Sequence, residues 1–274
     1  MSNSVAEHTT GPLTVATGLD FTDAGVVIAG GTSGVGLATA IAFAWAGAKN
    51  VVIVGRKVER GESAQAQIRE QCPGSVPHFI AADVCDPVAA EAVARQAEQR
   101  LGRIDVLVNS VVASYQPVLL QDTPLDKIAT ILMEQAVGPL VMSGAVLPVM
   151  RRQKRGSIVN IASDAARVPT PGETVLGGAM AAIVMFSKTL ALEAKRDGVR
   201  VNVITPSLIV NTGSYDRAMA GEFSKKIFDK ITAKAHLGLT EPEDLANTIV
   251  FLSSPLARLI TGQVISINGG ISVA

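Results

Sequence analysis

The residues with the plainest chemical purpose are a run of glycines, Ala29-Gly30-Gly31-Thr32-Ser33-Gly34-Val35-Gly36, set between a short apolar run and a stretch of helical composition. Gly30, Gly34 and Gly36 allow a tight turn and let the backbone approach a pyrophosphate. The helix that follows offers N–H donors and a positive dipole end. A turn kept only for close packing has the same composition, so the weight lies in the context of strand, turn, helix and second strand. The second strand ends in Val54-Gly55-Arg56-Lys57. An acidic residue there would accept the ribose 2′-hydroxyl of NAD. Arg56 and Lys57 suit the 2′-phosphate of NADP instead, or are solvated first-turn cations. Asp83, after the third strand, suits an adenine amino group or a helix N-terminus.

The elements that must position these residues alternate along the chain. Apolar runs at 26–29, 51–54, 78–82, 104–108, 157–162, 199–205 and 263–268 are separated by helical patterns at 35–48, 57–71, 87–101, 124–150, 173–196 and 241–253. The strands are continuously apolar and do not alternate, which predicts burial on both faces. Repeated strand–helix–strand units then predict a single α/β domain: a Rossmann-like, doubly wound parallel sheet of about seven strands. Thr240 and Glu243 form a capping box for the last helix. Residues 206–239 read as one long irregular segment, a candidate lid. Residues 1–21 are polar and read as a flexible arm, so the domain spans 22–274.

The 274 residues include 24 Lys plus Arg and 24 Asp plus Glu, for a net charge of zero. That balance argues against nucleic-acid binding driven by counterion release. Apolar residues at 48% exclude disorder. The mean hydropathy of +0.35 predicts helices buried on more than one side, or large subunit interfaces. Residues 24–48 carry no charge, but their six glycines break them into pieces too short to span a bilayer. No membrane partner is expected. Cys72 and Cys85 have no metal-ligand spacing, so the expectation is no metal, reduced thiols and a cytoplasmic location.

The chain resembles the short-chain dehydrogenase/reductase family from about Thr22 to its end. The resemblance rests on Ala29-Gly30-x3-Gly34-x-Gly36, Asp83-Val84, Glu241-Pro-Glu-Asp-Leu-Ala and Ile260-Thr-Gly-Gln-Val-Ile-Ser-Ile-Asn-Gly-Gly270. It implies a dinucleotide site at Gly30, Gly34, Gly36, Arg56, Asp83 and Asn109, and a catalytic set of Asn, Ser, Tyr and Lys. The Ser falls on Ser163. The Tyr, expected thirteen residues later, falls on Leu176; Phe186-Ser-Lys-Thr-Leu-Ala gives the same register. The Lys falls on Met180 and the Asn on Gln135. In the family the Tyr is the general acid/base and the Lys lowers its pKa and holds the cofactor ribose. Leu176 and Met180 carry no proton, and Ser163 is then a remnant. Val111 and Val112 replace small residues near the ribose, Ser207 replaces a Gly after the sixth strand, and Ala29 replaces a Thr. Tyr115 and Tyr215 are the only tyrosines, and neither precedes a Lys by four residues.

These departures lead to the expectation of a non-catalytic subunit. It would associate with an active paralogue, or with itself, in a hetero-oligomeric dehydrogenase of the kind that oxidises hydroxyacyl-CoA thioesters. The uncharged stretches 135–150 and 174–187 would form the interface. No cofactor would be required, although NADP or NAD could still bind a degenerate site. The alternatives are an active NADP-dependent oxidoreductase or non-redox enzyme with an altered active site, and a dinucleotide-sensing binding protein.

Overall fold

The computed structural model describes residues 19–111 and 113–274. Its centre is a seven-stranded, all-parallel sheet: β1 (Val26–Ala29), β2 (Asn50–Gly55), β3 (Val76–Ala81), β4 (Val106–Asn109), β5 (Gly156–Ile161), β6 (Val199–Pro206) and β7 (Val264–Ile267), in the order β3-β2-β1-β4-β5-β6-β7. The expected doubly wound sheet is therefore present. Every residue of β1 and β4 is buried, as continuous apolar runs require when helices cover both faces.

The helices are α1 (Gly34–Trp45), α2 (Val58–Gln71), α3 (Pro87–Leu101), α4 (Ile128–Leu132), α5 (Gly138–Gln153), α6 (Thr174–Ala194), α7 (Gly213–Ala220), α8 (Glu222–Thr232) and α9 (Pro242–Ser253). Helices α1, α2 and α9 pack on one face of the sheet around Phe43, Ile68 and Leu245. Helices α3, α5 and α6 pack on the other, around Ala94, Met142 and Leu190. Helix α3 begins as its sequence dictates: the Asp86 carboxylate accepts the Val88 N–H at 2.9 Å, and Pro87 occupies the first position, where no N–H is needed.

Four expectations need correction. The helix read over 124–150 is interrupted by a π-helical turn, Met133–Val137, between α4 and α5. The segment 206–239 is not irregular, because it folds into α7 and α8 around Leu208, Ala218 and Phe228. The cap of α9 lies one residue later than Thr240. Glu241 N–H donates to Asp244 at 2.8 Å, while the Thr240 hydroxyl donates to the Ile267 carbonyl of β7. At the start of the chain, residues 1–18 of the expected arm lie outside the described residues. Phe21 belongs to the core, edge-on to Phe43 at 4.9 Å.

The long apolar helices Leu125–Gln153 and Thr174–Asp197 are long enough to cross a bilayer by length and composition. Much of that character is spent within the fold. Val146 is fully buried beneath α5, so it belongs to the core and not to a subunit interface. Leu125, Leu132, Met133, Met185 and Leu192 are the large apolar side chains that these helices leave exposed.

Candidate active site

The strand order reverses between β1 and β4. There the chain leaves β1 toward β2 on one side and β4 toward β5 on the other, which opens a crevice beyond the strand ends. The glycine loop lines this crevice. Gly30, at φ +80°, donates its N–H to the Val54 carbonyl at 2.9 Å. A Cβ on Gly30 would overlap the Ser110 carbonyl oxygen, and one on Gly36 would overlap the Gly30 carbonyl oxygen. The loop is therefore pressed against both the β4 end and the first turn of α1. Ser33, which precedes α1, makes no side-chain cap, so the first-turn N–H groups keep their donors for a ligand. Thr212, at the head of α7, lies 3.6 Å from a Cβ position on Gly34, which puts the α7–α8 cover over the loop. Arg56 is exposed at the end of β2, 4.0 Å from the Asp83 carboxylate. The backbone of this cradle fits a dinucleotide pyrophosphate.

Asn109 has a different role from the one expected. It is fully buried at the end of β4, and its Nδ2 donates to Asn160 Oδ1 at 2.7 Å and Ser143 Oγ at 3.2 Å. Asn160 Nδ2 in turn donates to Ser187 Oγ at 2.8 Å. This polar ladder ties β4, β5, α5 and α6 together and forms the floor of the crevice. Val111 packs with the α3–α5 layer. Val112 lies outside the described residues.

Ser163 stands at the C-terminal end of β5, half-buried, and its Oγ accepts the Ala165 N–H at 3.2 Å. Its own O–H proton is left free to donate. Gln135 falls in the π-helical turn, buried; its Nε2 donates to the Ala113 carbonyl at 3.3 Å, and its Oε1 has no partner among the described residues. Leu176 and Met180 join Ala136, Ala162, Ala179 and Ile183 in an apolar cluster. The positions expected to hold Tyr and Lys are thus filled by hydrocarbon. Lys188 is on the exposed face of α6. Tyr215 packs inside the α7–α8 cover.

One titratable group at this site was not singled out in the sequence. Glu173 occupies the N-cap position of α6 without a capping side-chain hydrogen bond, three residues before Leu176. Burial pushes its carboxyl up to about 7; the neighbouring Asp164 carboxylate adds to the effect, and a hydrogen bond with Thr170 opposes it. Before it, Gly172 adopts φ +87°, and its carbonyl accepts both the Tyr115 hydroxyl at 2.8 Å and the Val118 N–H at 2.9 Å. Burial, and then the Glu173 charge, raise the Tyr115 pKa above its ordinary value. Asp164, next to Ser163, is buried and accepts from Asn268 Nδ2 at 2.6 Å, Ser272 Oγ at 3.1 Å and Ser266 Oγ at 3.2 Å. The C-terminal segment is thereby fastened to the active-site loop.

A family profile described as Enoyl-(Acyl carrier protein) reductase matches residues 29–272. The chain is 31% identical over 248 residues to the 3-oxoacyl-(acyl-carrier-protein) reductase FabG of Thermotoga maritima, covering 90% of this chain and 97% of that protein. It is 32% identical over 254 residues to the probable galactose dehydrogenase GalD of Rhizobium meliloti, covering 92% and 96%. Among solved structures, levodione reductase superposes with a TM-score of 0.86 at 28% identity, covering 91% and 98%. NAD+-bound xylitol dehydrogenase superposes with a TM-score of 0.83 at 26% identity, covering 91% and 99%. These relatives are named as working oxidoreductases, and they overturn the expectation of a non-catalytic subunit that requires no cofactor. The physical reason is that losing Tyr and Lys removes one acid/base arrangement and leaves the dinucleotide cradle and Ser163 standing. With the profile spanning most of its length, and with this sheet order and glycine cradle, the chain belongs to the short-chain dehydrogenase/reductase family.

Proposed function

We propose that the protein is an active, NADP-dependent oxidoreductase that interconverts a carbonyl and an alcohol through an altered active site. The observation that carries this reading is the intact cradle: Gly30 and Gly36 sit where only hydrogen fits, at the switch point, below an exposed Arg56. NADPH, when bound, supplies hydride. Arg56 and Lys57 would hold its 2′-phosphate, and the first-turn amides of α1 its pyrophosphate. The Ser163 hydroxyl, with its oxygen already accepting from Ala165, is set to donate to a carbonyl oxygen and stabilise charge developing there. The buried Asn109–Asn160 pair holds the ends of β4 and β5 rigid beneath the site.

The relatives named as 3-oxoacyl and levodione reductases support ketones as the substrate class. The test is NADPH binding by fluorescence, followed by NADPH oxidation with a panel of cyclic diones and 3-oxoacyl thioesters. Turnover that falls about 10²-fold or more in Ser163→Ala is expected. Absence of both binding and oxidation would refute the reading. The exposed Met133, Met185 and Leu192 support self-association of the chain through its long helices.

A further inference from the structure

Resting on the oxidoreductase reading above, we propose that Glu173 is the proton donor that replaces the missing tyrosine. Glu173 stands at the N-cap position of α6, three residues ahead of Leu176, and the first turn of α6 packs on the loop that carries Ser163: a Cβ on Gly177 would lie 2.8 Å from the Ala165 carbonyl oxygen. Its surroundings are built from three separate segments. The loop after β4 contributes Tyr115, held against Gly172. The loop after β5 contributes Ser163, Asp164 and Thr170. The cover contributes Phe223, 2.9 Å from a Cβ position on Gly172, and Ser224, which accepts from Gln116 Nε2 at 2.9 Å. Asp164, the chain neighbour of Ser163, is close enough to act on the Glu173 carboxyl.

The groups acting on the carboxyl are Thr170 and Asp164, and its own charge in turn acts on Tyr115. None is a cation, so nothing there holds Glu173 in its ionised form, and burial keeps it protonated up to neutral pH. In the reductive direction the carbonyl carbon receives hydride from the reduced nicotinamide, and the C=O π pair moves to oxygen. That oxygen takes the Glu173 proton, which leaves an alcohol, an oxidised dinucleotide and a carboxylate that is reprotonated from solvent. Leu176 supplies the dry wall that an apolar neighbour gives a raised carboxyl acid.

The experiment uses the full chain, its Glu173→Gln and Glu173→Asp variants, NADPH, and the ketone panel. In the parent, kcat for reduction should decline above about pH 7. Glu173→Gln should lower kcat by about 10²–10⁴-fold and flatten the profile between about pH 5.5 and 8.5. NADPH affinity, read by fluorescence without any ketone, should stay within about twofold, and the flattened pH profile is the readout that a merely structural role for Glu173 would not produce. Glu173→Asp should restore part of the rate. In the apo protein the Glu173 carboxyl carbon, assigned by its loss in Glu173→Gln, should titrate near neutrality by 13C NMR. Turnover by Glu173→Gln close to that of the parent, or a carboxyl titrating in the ordinary glutamate range, would overturn the proton-donor role while leaving the oxidoreductase reading intact. A parent that oxidises no NADPH with any ketone would overturn both.

Discussion

Because Glu173 binds its proton more tightly in the fold than in the unfolded chain, it makes stability depend on pH in a direction opposite to that of most carboxylates. Its ionisation moves from 4.5 to about 7 on folding. At about 1.36 kcal/mol per decade, that is roughly 3 kcal/mol. The sign follows from proton counting. Below 4.5 both states are protonated and the contribution is fully present. Between 4.5 and 7 the folded state alone keeps its proton, so stability falls with rising pH, and the contribution is lost above 7. From pH 5.5 to pH 8 the expected loss is about 2 kcal/mol. At an m-value of about 3 kcal/mol/M, it is a drop of about 0.7 M in the urea midpoint. Glu173→Gln keeps the shape of the protonated acid and removes the ionisation, so its midpoint should fall less than the parent's by that amount. Urea unfolding of both proteins at the two pH values, followed by far-ultraviolet circular dichroism, makes the comparison. Parallel midpoints in parent and variant would show that Glu173 is not desolvated and would refute the reasoning at its base.

Other substitutions test other parts of the site. Arg56→Ala should weaken NADPH binding by about tenfold and leave NADH binding unchanged, read by fluorescence titration, because one charge-assisted phosphate contact is lost. Asn109→Ala should cost about 1–3 kcal/mol in urea unfolding, since it strips partners from Asn160 and Ser143 inside the core. Val146→Glu should abolish cooperative thermal unfolding by placing an unpaired charge at a fully buried site. Met185→Glu, at a position 63% exposed, should keep the fold and lower the mass measured by light scattering.

What the sequence makes legible here is what depends on local pattern. The seven strands are continuous apolar runs, and Asp86-Pro87 starts α3 where the residues say it must. The glycine loop is legible because each glycine answers a steric demand made by neighbours a few residues away. Helices α7 and α8 are not, because pieces of 8 and 11 residues owe their stability to tertiary packing and only to a small degree to propensity. Glu173 is the instructive omission. In the sequence it is one acid among 24 charged to balance the cations. Its altered acidity is made by burial, with Asp164 of the loop after β5 adding to it, at a point where the left-handed Gly172 turns the chain and holds Tyr115 from a loop 57 residues earlier. Leu176 and Met180 have side chains that carry no proton, which is all that those two positions say. An inactive subunit follows from them only if no other group at the site can donate a proton, and the raised carboxyl of Glu173 three residues upstream removes that condition.

The amide ladder under the crevice also bears on how this chain finds its fold. In a sheet with one wet face, sliding a strand by one residue throws its apolar side chains into water, and register corrects itself. This sheet has no wet face: β4 reads Val-Leu-Val-Asn and β5 Gly-Ser-Ile-Val-Asn-Ile, and both are covered by helices above and below. A one-residue slip between them would bury nearly the same hydrocarbon, so hydrophobicity scarcely distinguishes the correct pairing from its neighbours. The Asn109–Asn160 match does distinguish it, because a slip would leave two buried amides without each other. The same atoms that floor the site thus act as an alignment key for the middle of the sheet. Replacing the asparagines together with hydrophobic residues of similar size should leave the domain stable while permitting strands β4 and β5 to pair in more than one way.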